Sequence, residues 1–180
     1  LEGKHTHSGN LPERVVDAVH RVVTDQTRIT QAYVNDNAAN GLSKGAYVEL
    51  VGIVVAVFSI DEFHRALGMP VEPLPEPRPG APSHYVPAKL SEDIGFVPTV
   101  PGNGAVGNEA DLWEGNYEAN VVRALTLVPN ALREWREIAV VQYLALEKMS
   151  NFGKNVGRAI DRMQMELIAG RVSAVNECFY

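Results

Sequence analysis

Apolar residues recur at helical spacing between Leu11 and Asn40. The spacing of about three to four residues is typical of one buried helix face. Pro12 suits a first helical turn, where its missing backbone N–H has no intrahelical partner to lose. Thr24 or Asp25 can cap a second helix that begins near Gln26. The pattern therefore predicts two consecutive helices in this segment.

The next apolar segment is SKGAYVELVGIVVAVFSIDEFHRALG. It is apolar on most faces from Val48 to Phe58, which predicts a helix buried nearly all round. The β-branched run IVVAV would suit a strand equally well. Because apolar positions continue to Leu67 and Gly68 can terminate a helix, the pattern favours a helix capped at its start by Ser43.

Helical periodicity stops at Met69. Nine of the eleven prolines lie between Met69 and Glu109, with several glycines near the end of this stretch. Proline removes backbone donors and glycine adds chain entropy, so long regular elements are not expected. Apolar residues within it predict that it packs as an ordered strap: Tyr85, Val86, Ile94, Phe96 and Val97.

Helices return after Asp111. One is predicted from Tyr117 to Leu127, and a second follows Asn130 through ALREWREIAVVQYLALEKMS. Residues 151–157 are predicted to form a turn, and a final helix starts near Arg158. The expected organisation is a disordered or added tail at residues 1–10, a helical unit at 11–68, the strap at 69–110 and a second helical unit at 111–180.

The two helical units resemble each other. A shift of 117 positions places LSKGAYVELVGIVVAVFSIDEFH over AIDRMQMELIAGRVSAVNECFY, so that Glu49 aligns with Glu166 and Asp61 with Cys178. The fold class predicted is all-α, with two repeated helical units joined by a proline- and glycine-rich strap. The alternative is a chance similarity of pattern between two buried helices.

Composition and charge exclude several classes of function. Hydrophobic residues make up 46% and charged residues 21%, and the net charge is −6. No cluster of Lys and Arg offers a surface for nucleic acid. No apolar run reaches the length of about 20 residues that a membrane helix needs. There is no secretory signal pattern, and one cysteine cannot form an internal disulfide, so the cytoplasm is the expected location.

Two C-terminal side chains carry the candidate chemistry. Glu166 lies between apolar neighbours in a predicted helix, where an unpartnered carboxylate is costly. Cys178, the only cysteine, follows twelve residues later. That spacing spans about 18 Å along a straight helix. Contact between the two side chains therefore requires a bend near Asn176 or another chain.

The segment ELIAGRVSAVNECFY resembles the signature helix of the alkylhydroperoxidase D-like and carboxymuconolactone decarboxylase family. That signature has a Glu, a stretch of apolar and small residues, then Cys-x-x-Cys and a His. Glu166 matches the Glu, Cys178 matches the first Cys, and Phe179 and Tyr180 match the spacers. The second Cys and the His are absent, so we expect the sequence to stop inside its motif.

The resemblance implies the alkylhydroperoxidase D-like fold and a thiol-dependent peroxidase. In that cycle the second cysteine attacks a hydroperoxide and the first, here Cys178, resolves the sulfenic acid as a disulfide. Glu166 would belong to a proton relay that makes the thiolate. The substrate would be a small hydroperoxide, with a thiol reductant protein as electron donor and a homo-oligomer as the assembly. No cofactor is expected.

The first unit would be a degenerate copy of this site. Glu49 persists there, but Asp61 and His64 occupy the positions of the two cysteines. Asp61 and His64 could share a proton or a metal, or form a surface salt bridge. A metal site needs three or four converging ligands, and the sequence predicts no such cluster.

Two other functions remain open at this point. The first is a decarboxylase of cyclic lactone acids, from the other branch of the family, which needs acid–base groups and no cysteine pair. The second is a non-catalytic helical scaffold that assembles as an oligomer, in which Cys178 is a small apolar side chain and Glu166 is a solvated helix residue.

Overall fold

The computed structural model describes residues 9–113, 118–145, 148–149, 152 and 157–178. Within these residues the fold is all-α, as predicted, with no β-strand; the one isolated β-bridge joins Ser91 and Thr99. The α-helices are α1 (Glu13–Thr24), α2 (Gln31–Ala39), α3 (Lys44–Ala66), α4 (Asn120–Arg123), α5 (Pro129–Gln142) and α6 (Arg162–Val175). No described helix is both long and apolar enough to cross a membrane.

Contacts between residues divide the chain into two units, which are described separately. Unit 1 comprises Leu1–Arg136 and unit 2 comprises Glu137–Tyr180, so the division falls within α5. The predicted boundaries and the internal repeat stay predictions. The predicted N-terminal tail up to residue 8, and most of the predicted turn at 151–157, lie outside the described residues.

The start of α2 differs from the sequence prediction. Thr30 is its N-cap and accepts a hydrogen bond from the Tyr33 backbone N–H at 3.2 Å. The predicted cap, Asp25, instead precedes a single 3₁₀ turn, Gln26–Arg28. The 3₁₀ turn lies between α1 and α2, so α2 begins about five residues later than its apolar pattern indicates.

A small core joins the first three helices. It contains Ala18 of α1, Val34 of α2, and Leu42 and Tyr47 at the start of α3. Polar contacts reinforce it, because the Tyr33 hydroxyl donates to Asp17 at 2.7 Å. Burial and this hydrogen bond raise the pKa of Tyr33 to about 12.

Helix α3 has the predicted ends but not the predicted burial. Ser43 caps its start, and Gly68 adopts φ +67° just after its end, a left-handed conformation that suits glycine. Its buried residues are Tyr47 and Val48 in the first turns. Several apolar side chains further along are exposed instead: Ile53, Val55, Phe58 and Phe63. The packing in unit 1 thus covers the beginning of α3 and not its whole circumference.

The segment after α3 has two distinct parts. Residues 67–86 are exposed throughout. From residue 87 the chain contributes to the core, and Thr99 and Val100 are buried. Of the apolar residues predicted to pack, Ile94 and Val97 are partly buried, whereas Tyr85, Val86 and Phe96 are exposed.

A buried arginine anchors this second part. Arg123 of α4 forms two hydrogen bonds with the Asp93 carboxylate, at 2.7 and 3.2 Å, and a third with Thr99 Oγ1 at 2.8 Å. Glu118 lies 3.4 Å from the same guanidinium. The larger core of unit 1 contains these residues: Val48, Val100, Leu112, Val122, Leu125, Leu127, Ala131 and Leu132.

Candidate functional site

The local sequence at residues 161–164 sets the start of α6. Asp161 accepts a hydrogen bond from the Gln164 backbone N–H, and the Gln164 side chain accepts one from the Asp161 backbone N–H, which makes a capping box. The helix therefore begins at Arg162 and not near Arg158, as the sequence predicted. Residues four positions apart share a helix face, so Arg162 and Glu166 become neighbours.

Glu166 has two partners in unit 2. The Tyr143 hydroxyl donates a hydrogen bond to Glu166 Oε1. Arg162 Nη2 lies 2.8 Å from the same oxygen, and the Glu166 side chain is 35% exposed. The carboxylate is therefore held by one hydrogen bond and one ion pair while part of it remains open to solvent.

Arg162 is more deeply buried than Glu166, with its side chain 2% exposed. Its guanidinium carbon lies 5.7 Å from the Tyr143 ring centroid and 5.2 Å from that of Phe152, within the range of cation–π attraction. Nη2 also donates to the Met149 carbonyl at 3.3 Å. Its Nε has no hydrogen-bond partner among the described residues. The two ring contacts, the bond to Met149 and the ion pair with Glu166 together hold the guanidinium in place.

The environment of Tyr143 favours its neutral form. Burial is the largest cause that raises the pKa of the hydroxyl, and the hydrogen bond to Glu166 and its negative charge raise it further. Arg162 opposes these effects. Tyr143 therefore keeps its proton and remains a donor to Glu166 at neutral pH. We call Tyr143, Arg162 and Glu166 the carboxylate cluster.

Cys178 lies just beyond the end of α6. The Cys178 N–H bonds to the Ser173 carbonyl at 2.9 Å and the Glu177 N–H to the Ala174 carbonyl at 3.4 Å. This pair of bonds is a Schellman motif, with Glu177 in the left-handed conformation at φ +51°. The thiol is free and exposed. The chain thus turns near Asn176; the sequence had made contact between Glu166 and Cys178 conditional on a bend there or on another chain.

The structure does not bring Glu166 and Cys178 into contact. The nine residue-to-residue steps from Glu166 to Val175 rise about 13.5 Å along the helix axis. The turn after Val175 redirects the chain, yet within the described part of unit 2 no hydrogen bond joins the two side chains. Any proton transfer between them would need an intervening group.

The candidate residues of the predicted first repeat, Glu49, Asp61 and His64, have separate surroundings. Glu49 is exposed. Asp61 pairs with Arg65 at 3.7 Å. His64 Nδ1 lies 2.6 Å from the Pro70 carbonyl, and its Nε2 is 3.9 Å from a Glu72 carboxylate oxygen. No group of three or more metal-ligating side chains occurs among the residues that the structure describes.

Sequence reasoning missed Tyr143 and Arg162. The spacing of Arg162 and Glu166 is the ordinary signal for an ion pair on one helix face, and it could have identified the arginine. Tyr143 is 23 residues from Glu166. No local pattern connects positions so far apart.

Comparisons of this chain with family models, with curated proteins and with solved structures gave no match. The resemblance to the alkylhydroperoxidase D-like family accordingly rests on Glu166, Cys178 and the two spacers that follow.

Proposed function

We propose that this chain is part of a thiol-dependent peroxidase of the alkylhydroperoxidase D-like family, acting on small hydroperoxides. The supporting observation is the arrangement along α6. Its Glu166 carboxylate is held by one hydrogen bond and one ion pair and is partly open, and a free, exposed thiol follows at the turn that ends the same helix.

The proposed cycle needs a second thiol, because residues 1–180 contain one cysteine. The thiolate of that second cysteine attacks the outer oxygen of the hydroperoxide, which releases an alcohol after protonation and leaves a sulfenic acid. The Cys178 thiol then attacks the sulfenic sulfur, forming a disulfide and releasing water. A dithiol reductant returns two electrons and two protons to the disulfide.

Glu166 serves as the distant end of the proton relay in this proposal. It lies too far along α6 to reach the thiols directly. The family pattern places a His after the second cysteine, which would supply the intervening group. The carboxylate accepts the thiol proton through this group and returns it to the departing alkoxide.

The first test is the intact mass of the natural protein together with peptide sequencing through Tyr180. A Cys at the next position and a His four residues beyond that Cys would complete the motif. A natural stop at Tyr180 would contradict the proposal that a single chain carries both cysteines of the peroxidase.

The second test is hydroperoxide consumption by the natural protein with a dithiol reductant. We expect Cys178→Ser to abolish steady turnover, since no disulfide can form, and Glu166→Gln to slow it by about a hundredfold, within the range of general acid–base catalysis. Glu134→Gln, at an exposed glutamate of α5, is the matched control. Undiminished turnover in Cys178→Ser would refute the proposal.

The carboxylate cluster also favours one alternative. A lyase of the carboxymuconolactone decarboxylase kind needs acid–base groups and no thiol pair, and Glu166 with Tyr143 supplies such groups. Loss of carbon dioxide from a lactone-type acid that survives Cys178→Ser but not Glu166→Gln would select this alternative.

The same proposal includes a reductant, an assembly and a location for the protein. A thiol reductant protein would recycle the disulfide, and a homo-oligomer in the cytoplasm is the expected form. Leu167 and Val175 of α6 are 76% and 63% exposed, which favours an assembly that covers them. Sedimentation at micromolar concentration tests this expectation, and a monomer would refute it.

A further inference from the structure

The carboxylate cluster contains two residues that the proposed function does not yet use. Tyr143 comes just after the end of α5, and Arg162 is the first residue of α6. Tyr143 donates a hydrogen bond to Glu166 Oε1, and Arg162 forms an ion pair with the same oxygen. Neither belongs to the motif through which the family resemblance was drawn.

Tyr143 and Arg162 restrict the Glu166 carboxylate in different ways. The Tyr143 hydroxyl comes from a separate segment and therefore fixes the carboxylate relative to the end of α5. The Arg162 guanidinium comes from one helical turn before Glu166 and is itself held by the rings of Tyr143 and Phe152. Because Arg162 is almost fully buried, it has little freedom to release the carboxylate.

Resting on the function proposed above, we propose that Tyr143 and Arg162 are positioning residues, which orient the Glu166 carboxylate for the proton relay. Glu166 Oε1 accepts the hydrogen bond from Tyr143 and pairs with the charge of Arg162. The other oxygen is left to exchange the proton. Neither positioning residue touches the hydroperoxide, and each acts through Glu166.

The raised pKa of Tyr143 supports this arrangement, since a tyrosine that stays neutral remains a donor at every pH where the thiol chemistry runs. The groups that face Glu166 within the described part of unit 2 are this hydroxyl and the Arg162 guanidinium.

A double-mutant cycle on the natural, full-length protein tests the proposal. Tyr143→Phe removes the hydroxyl and keeps the ring that stacks on Arg162. We expect it to lower the rate of hydroperoxide consumption about tenfold, as for loss of a hydrogen bond to a charged group. In the Glu166→Gln background, the same change should have almost no further effect. If Tyr143 had a purely structural role, Tyr143→Phe would instead lower the rate by the same factor in both backgrounds.

The chain offers a matched control. Tyr85 donates a hydrogen bond of 2.5 Å to Glu109, another tyrosine–carboxylate pair, in unit 1. Tyr85→Phe should leave the rate unchanged. Arg162→Lys keeps the charge but replaces the planar guanidinium and its several donors with a single ammonium, so we expect an intermediate loss that also disappears in the Glu166→Gln background.

Titration of tyrosine absorbance provides a readout that does not depend on turnover. The difference between the parent protein and Tyr143→Phe isolates this hydroxyl. Glu166→Gln should lower the Tyr143 pKa, because it removes the negative charge while burial remains. No shift would overturn the Tyr143–Glu166 contact and the positioning role, even if Cys178-dependent turnover is present.

The remaining outcomes are separable. Equal losses from Tyr143→Phe in both backgrounds would overturn the positioning role and leave the peroxidase proposal intact. Absence of Cys178-dependent turnover would overturn the proposed function and the relay role with it.

Discussion

Single residues with unusual environments determine how the segment after residue 87 is held. Arg123 is buried, with a side chain 7% exposed, whereas its partner Asp93 is 52% exposed. The two hydrogen bonds from Arg123 lower the pKa of Asp93 to about 2. Gly104 is buried close to Pro101 and Lys89, where a β-carbon would lie 2.9 Å from the proline ring. Charge pairing and close packing thus act within one short segment.

The Asp93–Arg123 pair predicts a pH dependence of stability. The Asp93 pKa is about 2 in the folded chain against an ordinary 3.8, so its contribution is present above about pH 4 and lost as pH falls through 2. Asp93→Asn should be less stable than the parent at pH 5, with the difference shrinking towards pH 2. Urea unfolding at both pH values measures this. Asp36→Asn, in an exposed pair with Arg14, is the control and should change little.

The packing around Gly104 predicts a steric cost. Gly104→Ala should lower the free energy of unfolding by about 1–3 kcal/mol, because the new methyl group overlaps the Pro101 ring. Gly45→Ala in α3 is the control, since nothing lies within 4 Å of its added β-carbon. Equal stability of the two variants in urea would contradict the close packing.

At the scale of elements, helices α3 and α6 end in the same way. The Gly68 N–H bonds to the Arg65 carbonyl and the Met69 N–H to the His64 carbonyl, so α3 closes with a Schellman motif as α6 does. The residue in the left-handed position differs, however, being Gly68 in one and Glu177 in the other. A residue with a β-carbon is strained in that position.

This difference predicts opposite effects of two substitutions. Glu177→Gly should stabilise the end of α6 by up to about 1 kcal/mol, because glycine adopts a positive φ without steric cost. Gly68→Ala should destabilise α3 by a similar amount. Amide hydrogen exchange near each helix end measures both. A loss of protection in Glu177→Gly would contradict the assigned turn before Cys178.

At the scale of the whole molecule, burial is uneven between the units. Among the described residues, the buried apolar side chains lie in unit 1 except for Leu144, Ala145 and Met165. Helix α6 is exposed along most of its length after Glu166. Hydrophobic burial is the main stabilising contribution to a fold, so the two units should differ in stability.

This unevenness predicts a gradient of protection against hydrogen exchange. Amides in the buried first turns of α3 should exchange much more slowly than those in α6 beyond Leu167, which open locally. Native-state exchange of the isolated chain measures the difference. Strong protection of α6 only at high protein concentration would indicate an assembly that covers it, whereas strong protection at every concentration would contradict the gradient.

The sequence by itself determined the helical class and the caps of α3, because periodicity and capping depend on residues within about one turn of each other. It also identified Glu166 and Cys178 as the candidate pair. Tertiary structure decided one of the two partners of Glu166, since Tyr143 lies 23 residues away in a separate segment, whereas Arg162 lies one turn before Glu166 on α6. It likewise decided the exposure of α3, because burial depends on which distant segments cover a helix, and no local pattern specifies them.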